Sequence, residues 1–141
     1  MGTPVAIARI LDHPVTLLVT RICVTLPFLV GGVTKLANWD AGLAEMTAVG
    51  LHPAGLFNLA VLATELGGSA LVILDRKTWL GAGALGIFSV LTTVLAHRFW
   101  AVSGPDRTPQ FNSFLEHATI SAAFVLVTVV TIRSQDRRQA P

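Results

Sequence analysis

Four apolar runs, at about Val15–Leu36, Ala54–Leu74, Trp79–Trp100 and Phe114–Ile132, leave this 141-residue chain little choice of fold. Each is close to the roughly 20 residues that cross about 30 Å of hydrocarbon at about 1.5 Å per residue. In lipid the backbone must satisfy its own hydrogen bonds, so runs of this length are helices. Membrane strands would alternate polar and apolar residues over about ten positions, and none of the runs does. The expected fold is all-α, a four-helix transmembrane bundle forming one membrane domain over residues 1–141, with a polar tail at 133–141.

Composition agrees. Charged residues make up 13% and hydrophobic residues 52%, whereas a soluble domain carries about 25% charged residues. Too few polar groups remain to cover a small domain in water, and the lipid bilayer is the expected partner. No basic stripe interleaved with aromatics is present, which excludes nucleic-acid binding. Cys23 is the single cysteine, so an internal disulfide, a CxxC redox pair and a cysteine zinc site are all excluded. Arg9 and Asp12 precede a run of full spanning length with no small-residue cleavage pattern after it. That run reads as a retained first span, not a signal peptide.

The punctuation fits four spans. Asn38 to Gly42 end the first run, His52-Pro53 opens the second, and Asp75 to Thr78 form a tight turn before the third. The stretch from Ser103 to Pro109 holds two prolines and a glycine, which break a helix interior. Gly42–Val49 is expected to form a short interfacial helix. Arg9, Arg76, Lys77, Arg133, Arg137 and Arg138 fall on the side of the termini, against Lys35, Arg98 and Arg107 on the other. By the positive-inside rule both termini are expected in the cytoplasm. Trp39, Trp79 and Trp100 sit at span ends as interfacial anchors, and Gly31-Gly32, Gly67-Gly68, Gly81, Gly83 and Gly86 suit close helix packing.

Ionisable groups inside the spans cost at least about 2.5–3.5 kcal/mol each and require an explanation. Helical spacing places Arg21, Thr25, Phe28, Gly32 and Lys35 on one stripe of the first span. Val61, Glu65, Gly68 and Val72 share a face of the second, with Ser69 beside it. Gly86, Ser89, Thr93, His97 and Trp100 align in the third, and Asn112, Glu116, Thr119 and Ala123 in the fourth. These stripes are expected to face the bundle interior. Arg21, Lys35, Glu65, His97 and Glu116 are the candidate buried polar, proton or ligand site. Similar depth along the chain suggests an Arg21–Glu65 pair, either pinning the bundle or leaving Glu65 as a proton relay. A second group, Lys35, His97, Arg98, Glu116 and His117, gathers toward the other side. It could anchor the interface, handle protons or hydrogen-bond a quinone carbonyl. Metal binding is not expected, because Glu116 and His117 are neighbours about 100° apart on a helix. A haem between His97 and His117 meets the same objection.

Arg21, the Gly31-Gly32-Val33-Thr34-Lys35-Leu36 ending, the Ala48 to Pro53 approach and above all Thr64-Glu65-Leu66-Gly67-Gly68 together resemble the DoxX family of small bacterial four-helix membrane proteins. The resemblance covers about residues 15–132. It implies a multi-pass protein of the bacterial inner membrane. The family takes its name from a subunit of a thiosulfate:quinone oxidoreductase, so the resemblance also implies a quinone as the cofactor, none covalently bound. The expected function is an accessory or quinone-interacting subunit of a membrane redox system. An enzymatic role would be that of an oxidoreductase subunit, with electrons supplied by a protein partner. The alternatives are a non-redox protein that binds or transports a small solute or lipid, with homo-oligomerisation, and a membrane scaffold.

Overall fold

A computed structural model describes Thr3 to Gln139, with side chains as far as Ser134. Among the described residues every regular element is helical. The helices are α1 (Val5–Leu11), α2 (Pro14–Ala37), α3 (Trp39–Ala48), α4 (Ala54–Leu62), α5 (Gly68–Ile73), α6 (Thr78–Ala96) and α7 (Arg107–Gln139). A π-helical turn, Ala63–Gly67, joins α4 to α5, so Ala54–Ile73 crosses as one span. Four helices among the described residues are long and apolar enough to cross a membrane, as expected.

Local chemistry sets the boundaries. His13 Nδ1 accepts the Val15 amide at 3.3 Å and Pro14 occupies the first turn of α2, where its missing N–H costs nothing. Asn38 Oδ1 accepts the Ala41 amide at 3.1 Å and starts α3, the expected interfacial helix, a turn earlier than its sequence suggests. Asp75 and Lys77 take left-handed conformations, φ 54° and 52°, which turns the chain sharply between α5 and α6. Thr78 Oγ1 donates to Asp75 Oδ1 at 3.0 Å and fixes that turn.

The third span departs from expectation at its end. Regular helix stops at Ala96, and His97 and Arg98 lie in the break before a 3-10 turn at Phe99–Ala101. There Phe99 packs edge-on against Trp100, Phe111 and Phe114 with ring centroids 5.1–5.2 Å apart. A second 3-10 turn, Gly104–Asp106, leads into α7, and Pro109 is absorbed in its first turn. At the other end α7 runs on through the polar tail to Gln139.

The core lies where all four spans meet. Phe28 of α2 stacks on Phe124 of α7 at 5.5 Å and on Phe88 of α6 at 6.2 Å, above Val72, Ala82 and Leu85. The small residues do the expected work at α5 and α6: a Cβ on Gly81 would come within 2.6 Å of the Gly68 carbonyl oxygen. Outward, Leu18, Val19, Leu26, Val30, Ile87, Val90, Val125 and Leu126 are exposed to the lipid. Trp39, Trp79 and Trp100 are likewise partly exposed at span ends.

The polar stripes of α2 and of the second span face inward as expected, and so do Ser89 and Thr93 of α6, while Trp100 is exposed. Two of the buried hydroxyls are satisfied on their own helix: Thr25 donates to the Arg21 carbonyl at 2.8 Å and Thr93 to that of Ser89 at 2.7 Å. In α7 the expectation fails. Asn112, Glu116 and Thr119 are exposed, and the buried face runs through Ser113, His117, Ile120, Phe124 and Thr131. The helix is rotated by one position because Phe124, the largest fully buried side chain, claims the core.

Candidate functional site

The sequence suggests that Arg21 and Glu65 pair, but the structure separates them. Arg21 Nη2 bonds Asp75 Oδ2 at 2.9 Å. Glu65 Oε1 instead accepts from Lys35 Nζ at 3.4 Å, and the same ammonium lies 3.4 Å from Glu45 Oε2. The physical reason is side-chain direction. A helical side chain leans toward the N-terminus of its own helix. On α2, Arg21 therefore leans back toward the end that carries Asp75, and Lys35 leans back into the bundle. The second span runs the opposite way, so Glu65 leans toward Lys35 and away from Arg21.

The ammonium and two carboxylates form a three-way centre in the half of the bundle away from the termini. Glu65 is its deepest member, with a side chain only 6% exposed; that of Lys35 is 12% exposed and that of Glu45 54%. Glu65 lies against Gly31, where a Cβ would sit 3.2 Å from its Oε1. Gly31 thus makes room for a carboxylate, a reason for that glycine beyond helix packing. The π-helical turn holds Glu65 at its middle. Such turns insert one extra residue into a helix and recur at functional sites.

The polar capacity of the second span is only partly used. Glu65 Oε2, both side-chain polar atoms of Asn58 and the Ser69 hydroxyl are buried without a hydrogen-bond partner among the described residues. Each such atom costs about 1–3 kcal/mol, and all lie on the inward side of one span. Asn58, wedged against Gly42 of α3, belongs to no motif of the sequence. Its position seven residues before Glu65 was the available signal.

His97 and Glu116 do not join this centre. His97 Nδ1 lies 3.2 Å from Gln110 Oε1, and its ring stacks on that of His117 with centroids 4.8 Å apart. His117 Nδ1 meets the Ser113 carbonyl at 2.8 Å. The two imidazoles do face each other, contrary to expectation, because α7 turns His117 inward. Glu116 and Arg98 are exposed. Among the described residues no group of three or more His, Cys, Asp or Glu side chains could hold a metal ion.

Beside the centre a cavity of about 280 Å³ lies between the α3–α4 arm and α6. Phe57, Met46, Phe88 and Leu95 give it apolar walls, and Glu45, Thr64 and Thr92 are its polar members. Glu45 therefore connects the cavity to Lys35, and through Lys35 to Glu65. In the sequence Glu45 stands only as a residue of the first outer loop. Its place is set by α3, which folds back over the mouth of the bundle.

Comparison with known proteins agrees with this architecture. The DoxX family profile matches residues 16–98, more than half of the chain, from α2 to just beyond α6. Inner membrane protein YphA of Escherichia coli (strain K12) is 27% identical over 117 residues, 83% of this chain and 84% of that protein. No solved structure matches this chain. With the matched segment holding Arg21, Lys35, Glu45 and Glu65, and with four spans of membrane length, the chain belongs to the DoxX family, as a multi-pass protein of the bacterial inner membrane.

Proposed function

We propose that this protein is an accessory subunit of a membrane redox system that receives a quinone headgroup in the cavity beside Glu45. The supporting observation is the juxtaposition of an apolar, aromatic-walled cavity with a buried lysine shared by two carboxylates. At about 280 Å³ the cavity falls just below the roughly 300–1,000 Å³ of pockets that enclose whole ligands. That volume suits a ring whose apolar tail stays in the lipid.

The residues fit such a group. Phe57 and Phe88 give the cavity aromatic walls, and Thr92 is one of its few polar members. A quinone, when bound, supplies a carrier of two electrons and two protons. Glu45 is placed to exchange a proton with an oxygen at the cavity wall. Lys35 balances the charge, and the free oxygen of Glu65 gives the pair a second protonation site behind it. His97 and Glu116 lie outside this arrangement and are given no part in it. The chain has no thiol pair, so electrons come from a partner protein. Arg9, Arg76, Lys77 and Arg133 are exposed at the end of the bundle that carries the termini, which we orient toward the cytoplasm.

Solvent extraction of the purified full-length protein, followed by mass spectrometry, tests the reading. The expected result is one quinone per chain, lost when Leu91→Trp fills the cavity and reduced by Glu45→Gln. A protein that retains no quinone after growth and purification in quinone-rich membranes would overturn it. Lys35–Glu65 would then be a pin that fixes helix register.

A further inference from the structure

A second cleft lies at the opposite end of the molecule, between α2 and α7. These helices touch over a short stretch only, which leaves a groove of about 250 Å³ along the outside of the bundle. Its lining is sorted by depth. Val24, Ala123 and Val127 make the part toward the bundle centre apolar, while Arg21, Thr131 and Ser134 stand beside Leu17 and Val130 toward the end that carries the termini. Arg21 is only 14% exposed, and its bond to Asp75 runs from one terminal nitrogen, Nη2. A guanidinium carries five N–H donors in a planar fork, so it can serve Asp75 and a second anion together. Around the polar end, Arg9, Arg76, Lys77 and Arg133 are exposed, against Asp12 and the paired Asp75.

We infer that this groove binds an anionic phospholipid, with one acyl chain along Val24, Ala123 and Val127 and the headgroup phosphate on Arg21. Three features select this occupant. The groove is wholly apolar toward the bundle centre, and its polar side chains stand at the end where headgroups lie. Its polar end holds an arginine, whose fork matches phosphate oxygens. The surrounding surface is basic, and basic pockets between membrane helices attract anionic headgroups. A packed helix from another chain would use the apolar part but leave the donors of Arg21 that Asp75 does not take without an anion. The site is separate from the Glu45–Lys35–Glu65 centre and does not depend on the quinone reading.

Native mass spectrometry of the full-length protein, released from detergent micelles containing equal dioleoylphosphatidylglycerol and dioleoylphosphatidylcholine, tests this directly. One phosphatidylglycerol is expected to be retained in preference to phosphatidylcholine, and millimolar inorganic phosphate should not displace it. Arg21→Gln removes the fork and Ala123→Phe fills the groove, and each should weaken retention at least about tenfold. Glu65→Gln should leave it unchanged. Ala123→Phe keeps Arg21 and its bridge, so it reports on the groove even where Arg21→Gln fails to fold. Equal retention of the two lipids, retention unmoved by Ala123→Phe, or a dimer that Ala123→Phe dissociates would overturn the proposal.

Discussion

The two cationic residues of α2 face the same interior, yet their partnerships differ in kind. Arg21 makes a 2.9 Å bond to Asp75, whose side chain is 30% exposed and which also takes the Thr78 hydroxyl. That distance falls within the range of a well-formed charge-assisted bond. Lys35 is divided between Glu45 and Glu65, each at 3.4 Å, at the outer limit of a hydrogen bond. One oxygen of buried Glu65 has no partner among the described residues. The first arrangement has the character of a fastener that closes a turn. The second keeps charge in the membrane while leaving bonding capacity free. The proposed proton chemistry rests on the loosely shared pair beside the Glu45 cavity, and the tight pair leaves Arg21 only the donors that Asp75 does not use.

The largest effect should come from stranding the deep carboxylate. Lys35→Met leaves Glu65 without a cation and should cost about 3–5 kcal/mol, read as a shift of unfolding in mixed detergent micelles. Adding Glu65→Leu should restore most of that loss, since the uncompensated charge goes with it. If Lys35→Met costs no more than removal of the Asp75 charge, the distinction between the pairs collapses. Next is the crossing that supports the fastened end. Gly81→Ala drives a methyl into the Gly68 carbonyl and should cost about 1–3 kcal/mol. Gly83→Ala, with nothing within 4 Å, should change little in the same assay.

Asp75→Asn should cost about 1 kcal/mol or less, because the carboxylate is partly solvated. Asparagine tolerates the left-handed backbone at that position, so the substitution isolates the charge. It should also leave quinone retention unaltered, which sharpens the contrast with Glu45→Gln. Smallest of all, His97→Gln should shift stability by no more than about 0.5 kcal/mol and leave retention unaltered, because the His97 side chain bonds Gln110 and packs at a tilt against His117, away from the Glu45 cavity. A large loss there would move the functional centre toward the imidazole pair.

Much of this was legible in the sequence for identifiable reasons. Span length and the Arg21, Thr25, Phe28, Gly32, Lys35 spacing specified the helices and the buried face of α2. Pairing was not legible, because depth along the chain places Arg21 near Glu65 while side-chain direction takes them apart. The face of α7 was not legible because its apolar and polar residues favour no one side of the helix, leaving core volume at Phe124 to decide its rotation. The π-helical turn around Glu65 left no mark beyond the glycine pair at its end. Glu45 was not legible as a site residue because it lies ten residues beyond Lys35, outside the first apolar run, and only the turn back of α3 brings the two together.

The central claim is that the cavity beside Glu45, and no other part of the bundle, receives the quinone ring. A photoreactive azido-quinone, irradiated on the protein in nanodiscs and mapped by peptide mass spectrometry, tests it most directly. Labels within residues 57–64 and 88–96, competed away by unmodified quinone, are the predicted result. Labels confined to the α2–α7 groove, or spread over the lipid-facing surface without competition, would contradict the account.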